Sequence, residues 1–138
     1  MKNTIAALIF ILFLGTNSFS QSKMQSWKEL KDFHTVMSQT FHPSEEGNLE
    51  PIKSRATEMK EKAFILADSK IPAEFDNKKV KDAVNKLKKG TIKMEKIVAN
   101  KSSDKEITNH LIALHDTFHE IVGLCSKESE HGDTKNEK

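Results

Sequence analysis

Four stretches in which apolar residues recur every three or four positions constrain the fold of this chain more than any other feature. That spacing marks one face of an α-helix, whereas a half-buried strand alternates every second residue. The stretches begin at Trp27, Ile52, Val80 and Ile107, and prolines or polar residues separate them. Helices that are apolar on one face bury those faces most economically against one another. The sequence therefore predicts an all-α protein, a single antiparallel four-helix bundle with up-down-up-down topology.

The same spacing assigns a core face to each predicted helix. In chain order the faces consist of Trp27, Leu30, His34, Met37 and Phe41; of Ile52, Ala56, Met59, Ala63 and Leu66; of Val80, Val84, Leu87, Met94 and Val98; and of Ile107, Leu111, Leu114, Phe118, Ile121 and Cys125. Gly90 interrupts the third face, which costs about 1 kcal/mol relative to alanine and suggests a close approach to a neighbouring helix.

Helix boundaries follow from prolines and capping residues. We expect Pro43 to end the first helix and Pro72 to close the second. Asp76 is the predicted N-cap of the third helix. Ser103 followed by Glu106 three residues later predicts a capping box at the start of the fourth helix.

The first twenty residues are typical of a secretory signal peptide. Lys2 precedes a run of ten apolar residues from Ile5 to Leu14, and the small residues Ser18 and Ser20 follow it, before Gln21. The run is half of the roughly 20 residues that a membrane-spanning helix needs. We expect cleavage after Ser20, a periplasmic or secreted protein without stable membrane insertion, a bundle over residues 21–127 and a disordered polar tail over residues 128–138.

Composition argues against several classes of function. The net charge of +2 is too small to suggest nucleic-acid binding. Cys125 is the only cysteine, so no internal disulfide forms. Its thiol is free, oxidised, paired with another chain or a ligand, or it is buried as a small apolar group. The sequence contains no glycine-rich turn that could present a nucleophile, no glycine-rich loop that could bind phosphate and no HExxH zinc-protease motif. We therefore do not expect an enzyme.

Histidine placement suggests a metal site. His115 and His119 lie one turn apart on the predicted fourth helix, and His34 interrupts the apolar face of the first. Antiparallel packing places these three imidazoles at a similar level, where they could bind Zn²⁺ or Cu²⁺. Met37 and Glu58 are candidate additional ligands. The competing interpretation is that His34 is a hydrogen-bonded core residue and that the methionines only pack.

A fourth candidate ligand, His42, lies at the corner between the first and second helices. With Glu45 and Glu46 it could hold a divalent ion in a loop, or it could join the internal site. A polar turn without a metal explains the same residues. His110 has no convergent partner in the sequence, and we expect it to be solvated.

The third helix is rich in lysine. Its basic residues are Lys78, Lys79, Lys81, Lys86, Lys88, Lys89, Lys93 and Lys96. A solvated outer face is the simpler interpretation. The alternative is a docking surface for an acidic protein partner, whose identity the sequence does not reveal.

The stretch from Phe118 to Lys127, at the end of a fourth helix in a bundle of this size, resembles the haem-attachment end of cytochrome c-prime. Trp27, Phe33 and Met37 in the first helix are also similar to that superfamily. The resemblance implies a four-helix bundle. Cys125 occupies the first cysteine position of the Cys-x-x-Cys-His motif, but Glu128 and Ser129 follow where the family has cysteine and histidine, so covalent haem attachment is not expected.

Related periplasmic b-type cytochromes hold haem without covalent links, by a methionine from the first helix and a histidine from the fourth. The resemblance implies that Met37 and either His115 or His119 would be the corresponding ligands here. A haem-binding electron carrier is therefore the alternative to a copper or zinc protein, and a structural or partner-binding envelope protein is the third class.

Overall fold

The computed structural model describes residues 26–128, which form four helices in an antiparallel bundle. The helices are α1 (Lys28–Glu45), α2 (Glu50–Asp68), α3 (Lys78–Ala99) and α4 (Asp104–Glu128), and a 3₁₀ turn (Ala73–Phe75) precedes α3. No described residue lies in a strand. The predicted all-α four-helix fold is confirmed. The predicted signal peptide, and the predicted tail after residue 128, lie outside the described residues.

No helix within residues 26–128 has the combination of length and apolar character needed to cross a membrane.

The core consists largely of the predicted apolar faces. The wholly buried large side chains are Trp27, Phe33, Phe75, Phe118, Leu30, Met37, Ile52, Met59, Leu66, Leu87, Met94 and Ile107. The face of α1 is broader than predicted, since Phe33 and Val36 are buried beside it. A helix that packs against two neighbours needs an apolar stripe wider than a strict three-four repeat. In α3 the prediction of Val98 was wrong by one residue, because Ile97 is buried and Val98 lies half-buried at the edge of the core.

The predicted end of α1 was wrong, because the helix passes through Pro43 and ends at Glu45. Proline lacks a backbone N–H and therefore removes one hydrogen bond of the helix, but its own carbonyl can still accept hydrogen bonds. The carbonyl of Pro43 accepts hydrogen bonds from the backbone N–H of Glu46 at 3.1 Å and of Asn48 at 3.0 Å. Gly47 then takes a φ of +82°, which reverses the chain toward α2.

The predicted N-cap of α3 was also displaced by one residue. Oδ1 of Asn77 accepts a hydrogen bond from the backbone N–H of Val80 at 3.0 Å, so Asn77 is the cap. Asp76 ends the 3₁₀ turn instead, and its carboxylate pairs with Lys81. At α4, Oγ of Ser103 accepts from the N–H of Glu106 at 3.2 Å, as one half of the predicted capping box requires.

Consecutive helices pack closely, and Gly90 of α3 lies directly against Leu114 of α4. A Cβ at this position would lie 2.6 Å from Cδ2 of Leu114. The imidazole of His110 donates from Nε2 to the carbonyl of Gly90 at 2.8 Å. The close approach suggested by the glycine is therefore present. The expectation that His110 is solvated was wrong, because a partner from another helix is invisible in local sequence.

The first helix and the last, α1 and α4, contact each other much less than helices that follow one another along the chain do. We call this boundary the α1–α4 seam. It closes the bundle between the first helix and the last, and the candidate site lies along it.

Candidate functional site

Four histidines line the α1–α4 seam, and we call them the histidine patch. His34 and His42 lie on α1, and His115 and His119 lie on α4. His34 and His115 are half-buried, whereas His42 and His119 are exposed. The antiparallel packing predicted from the sequence thus gives both helices imidazoles along the same boundary.

Two phenylalanines support the half-buried imidazoles across the seam. The ring of His115 on α4 stacks on Phe41 of α1, with ring centroids 3.7 Å apart and planes 5° apart. His34 of α1 stacks on Phe118 of α4, with centroids 5.0 Å apart and planes 10° apart. Each helix therefore contributes an aromatic platform to the other helix's histidine. Stacking on rings in the packed core limits the orientations that both imidazoles adopt.

The two histidines of α4 present their nitrogens to each other. Nε2 of His115 and Nε2 of His119 are 3.1 Å apart, so one ring donates a hydrogen bond to the other. Their planes are 81° apart. A tetrahedral metal with metal–nitrogen bonds of about 2.0–2.1 Å separates two imidazole nitrogens by about 3.3 Å. The pair therefore already has close to the separation that a chelating pair of ligands requires.

His42 is oriented by a carboxylate on its own helix. Nδ1 of His42 donates to Oε2 of Glu45 at 2.9 Å. In the neutral form of the ring this bond places the proton on Nδ1 and the lone pair on Nε2, the arrangement common in metal-ligating histidines. The prediction that His42 and Glu45 lie in a loop was wrong, because both belong to the last turns of α1 beyond the boundary expected at Pro43.

Burial keeps the supported imidazoles neutral. Desolvation lowers the pKa of His34, and electrostatic interaction with His119 and with His42 lowers it further. Desolvation also lowers the pKa of His115, and His119 adds to this effect while nearby carboxylates oppose it. Since the unperturbed value is 6.5, both rings are mainly neutral at pH 7. Neutral imidazole is the form that binds a metal ion.

The two other predicted ligands lie in different surroundings. Met37 is wholly buried in the apolar core. The carboxylate of Glu58 accepts hydrogen bonds from Nε of Arg55 at 2.6 Å and from Nη2 at 3.0 Å. Within residues 26–128, no three His, Cys, Asp or Glu side chains are already arranged to hold a metal ion. Of the predicted ligands, His115 and His119 lie with their Nε2 atoms 3.1 Å apart.

The described residues do not fit haem ligated by Met37 and a histidine of α4. Met37 has no exposed surface, while Nε2 of His115 and of His119 face each other at the seam. The rings of Phe41 and Phe118 pack against the same histidines. A haem reaching from Met37 to α4 would have to displace core side chains.

The lysine-rich face of α3 is partly neutralised. Four of its eight lysines form ion pairs, namely Lys78 with Asp82, Lys81 with Asp76, Lys86 with Glu120 and Lys88 with Asp68. Lys88 also lies 4.2 Å above the ring of Phe64. These pairs favour the interpretation of a solvated outer face over that of an acidic docking surface.

Comparison with known proteins gives no relative: no protein-family model, no curated protein and no solved structure matches this chain.

Proposed function

We propose that this protein is an exported binding protein, not an enzyme, for a divalent transition-metal ion, copper or zinc. The observation that carries the proposal is the 3.1 Å separation between Nε2 of His115 and Nε2 of His119. These two nitrogens would chelate the ion from one face of α4. His34 and His42, on the facing helix, are the candidates on this chain for the remaining positions.

The ligand chemistry favours divalent ions over Cu⁺. Imidazole suits Zn²⁺ and Cu²⁺, whereas Cu⁺ is selected by thiolate and thioether sulfur. Met37 and Met59 are wholly buried in the core, and Cys125 is buried as well. An ion bound at the histidine patch would therefore meet nitrogen and water, and the protein would buffer it or transfer it to another site.

Metal titration tests the proposal directly. Untagged protein is titrated with Zn²⁺ and with Cu²⁺ against a competing chromophoric chelator, and an absorption spectrum is recorded to detect haem. We expect H115A/H119A to weaken binding by about 100-fold or more, since both chelating nitrogens are lost. His110→Gln is the matched control, because His110 lies on the same helix but bonds to Gly90.

Circular dichroism of each variant verifies the helical fold before affinities are compared. Equal affinity of H115A/H119A and the unmodified protein would refute the site. A Soret band that persists through purification would favour the haem alternative.

A further inference from the structure

A stripe of six residues on α4 reads almost the same in both directions. Its members are separated by four, three, four, three and four positions, so they share one helix face. They are Thr108, Ile112, His115, His119, Val122 and Ser126. The order is hydroxyl, β-branched apolar, imidazole, imidazole, β-branched apolar, hydroxyl. We call this set the palindromic stripe.

The palindromic stripe lies one position further along α4 than its buried face, and its member His115 stacks on Phe41 of α1 at the α1–α4 seam. The opposite flank of α4 contacts α3, through His110 to Gly90 and Glu120 to Lys86. Ile112, in the palindromic stripe, is 43 % exposed. Ile65 on α2 is the other large apolar residue in the described chain with such exposure, at 53 %.

A stripe of this kind is complementary to a second copy of itself in antiparallel orientation. If the two-fold axis passes between His115 and His119, each position n faces position 234 − n of the second copy. Ile112 of one copy then faces Val122 of the other, and His115 of one copy faces His119 of the other. A two-fold interface requires this self-complementarity of one surface patch.

We infer that two copies of this chain pair through the palindromic stripe around one divalent metal ion on the two-fold axis, bound by His115 and His119 of both copies. This rests on the proposed function and assigns its two remaining ligand positions to a second copy. Zn²⁺ takes four ligands in a tetrahedron, and each α4 supplies two nitrogens already 3.1 Å apart.

Completion by the same chain would require rearrangement, because no third ligand in residues 26–128 is grouped with the α4 pair. His34 stacks on Phe118, and Nδ1 of His42 donates to Glu45. The second copy offers a pair with the same geometry instead. The exposed apolar surface of the stripe is small beside the roughly 1,200 Å² of a stable interface, so pairing requires the ion.

Sedimentation velocity with and without Zn²⁺ tests the inference. We expect a monomer in chelator, and a dimer on addition of Zn²⁺ that saturates at one ion per two chains. Ile112→Lys should weaken dimerisation by about tenfold or more, because an unpaired ammonium would be buried at the interface. Ile65→Lys, at a similarly exposed isoleucine on another helix, should dimerise like the unmodified protein.

Two further results separate this inference from the proposed function. H34Q/H42Q should still dimerise with Zn²⁺, since neither residue belongs to the shared site. Zn²⁺ bound one-to-one by a monomer, with loss of binding in H115A/H119A, would overturn the dimer and leave the metal site intact. The dimer is also overturned if Ile112→Lys pairs as tightly as Ile65→Lys. Unchanged affinity in H115A/H119A would overturn both.

Discussion

Gly90→Ala is the substitution that best tests the packing of α3 against α4. The added Cβ would lie 2.6 Å from Cδ2 of Leu114, a distance at which atoms must move apart. Leu114 is 2 % exposed and has little free space to enter. The substitution therefore has two opposing effects on stability. Alanine favours the helix more than glycine does, whereas its Cβ overpacks the contact with Leu114.

Gly123→Ala provides a matched control for the helix term. Gly123 lies within α4, and a Cβ there would have no contact within 4 Å. Replacing glycine by alanine inside a helix stabilises it by about 1 kcal/mol, and this gain applies at both positions. Overpacking costs about 1–3 kcal/mol and applies only at Gly90. We expect Gly123→Ala to stabilise by about 1 kcal/mol and Gly90→Ala to be neutral or to destabilise by up to about 2 kcal/mol.

Urea denaturation followed by circular dichroism, in chelator, measures both free energies of unfolding. The difference between the two alanine variants isolates the cost of the contact, because the helix term cancels. A difference of about 1–3 kcal/mol is expected. If both variants are stabilised equally, a Cβ at position 90 does not overpack Leu114, and α3 and α4 are not in close contact at Gly90.

Three further predictions concern protons and hydrogen bonds. Folding lowers the pKa values of His34 and His115, so below their ordinary value of 6.5 the unfolded chain binds more protons than the folded chain does. The contribution of these two histidines to the free energy of unfolding is therefore complete above that pH and decreases toward pH 5. Urea titrations at pH 7.5 and 5 should show a smaller loss in H34Q/H115Q, and an equal loss would contradict this explanation. Asn77→Ala should cost about 1 kcal/mol through the lost N-cap of α3, measured by thermal unfolding, with no change if the cap is immaterial. Ser69→Ala should cost about 1–3 kcal/mol, because Nε1 of Trp27 donates to Oγ of Ser69 at 2.9 Å; an unchanged urea midpoint would argue against that bond.

Much of the fold followed from the sequence because helical periodicity is a local signal. The predicted core positions of α2 are all buried, and the residues next to them in sequence are not. The end of α1 was misjudged because the helix continues for two residues past Pro43, whose carbonyl accepts hydrogen bonds from the backbone N–H groups of Glu46 and Asn48. The cap of α3 moved from Asp76 to Asn77 because the 3₁₀ turn at Ala73–Phe75 ends first. Such errors of one or two residues arise where tertiary contacts decide between adjacent candidates.

The candidate site was partly predictable. Spacing alone placed His115 and His119 on one face of a helix, and the apolar stripe placed His34 opposite them. The stacking partners Phe41 and Phe118 were expected only as core residues. The bond from His110 to Gly90 joins two helices, and no local pattern encodes such a contact. The metal itself stays a prediction.

The seam between α1 and α4 also bears on how the chain folds. Close packing joins each helix to the next along the chain, so most tertiary contacts form across short loops and at a small entropic cost. Closing the seam brings together segments as far apart in sequence as Phe41 and His115. We expect this boundary to form last and to open first in hydrogen exchange. The imidazoles of α1 and α4 would then face one another only in the completed bundle.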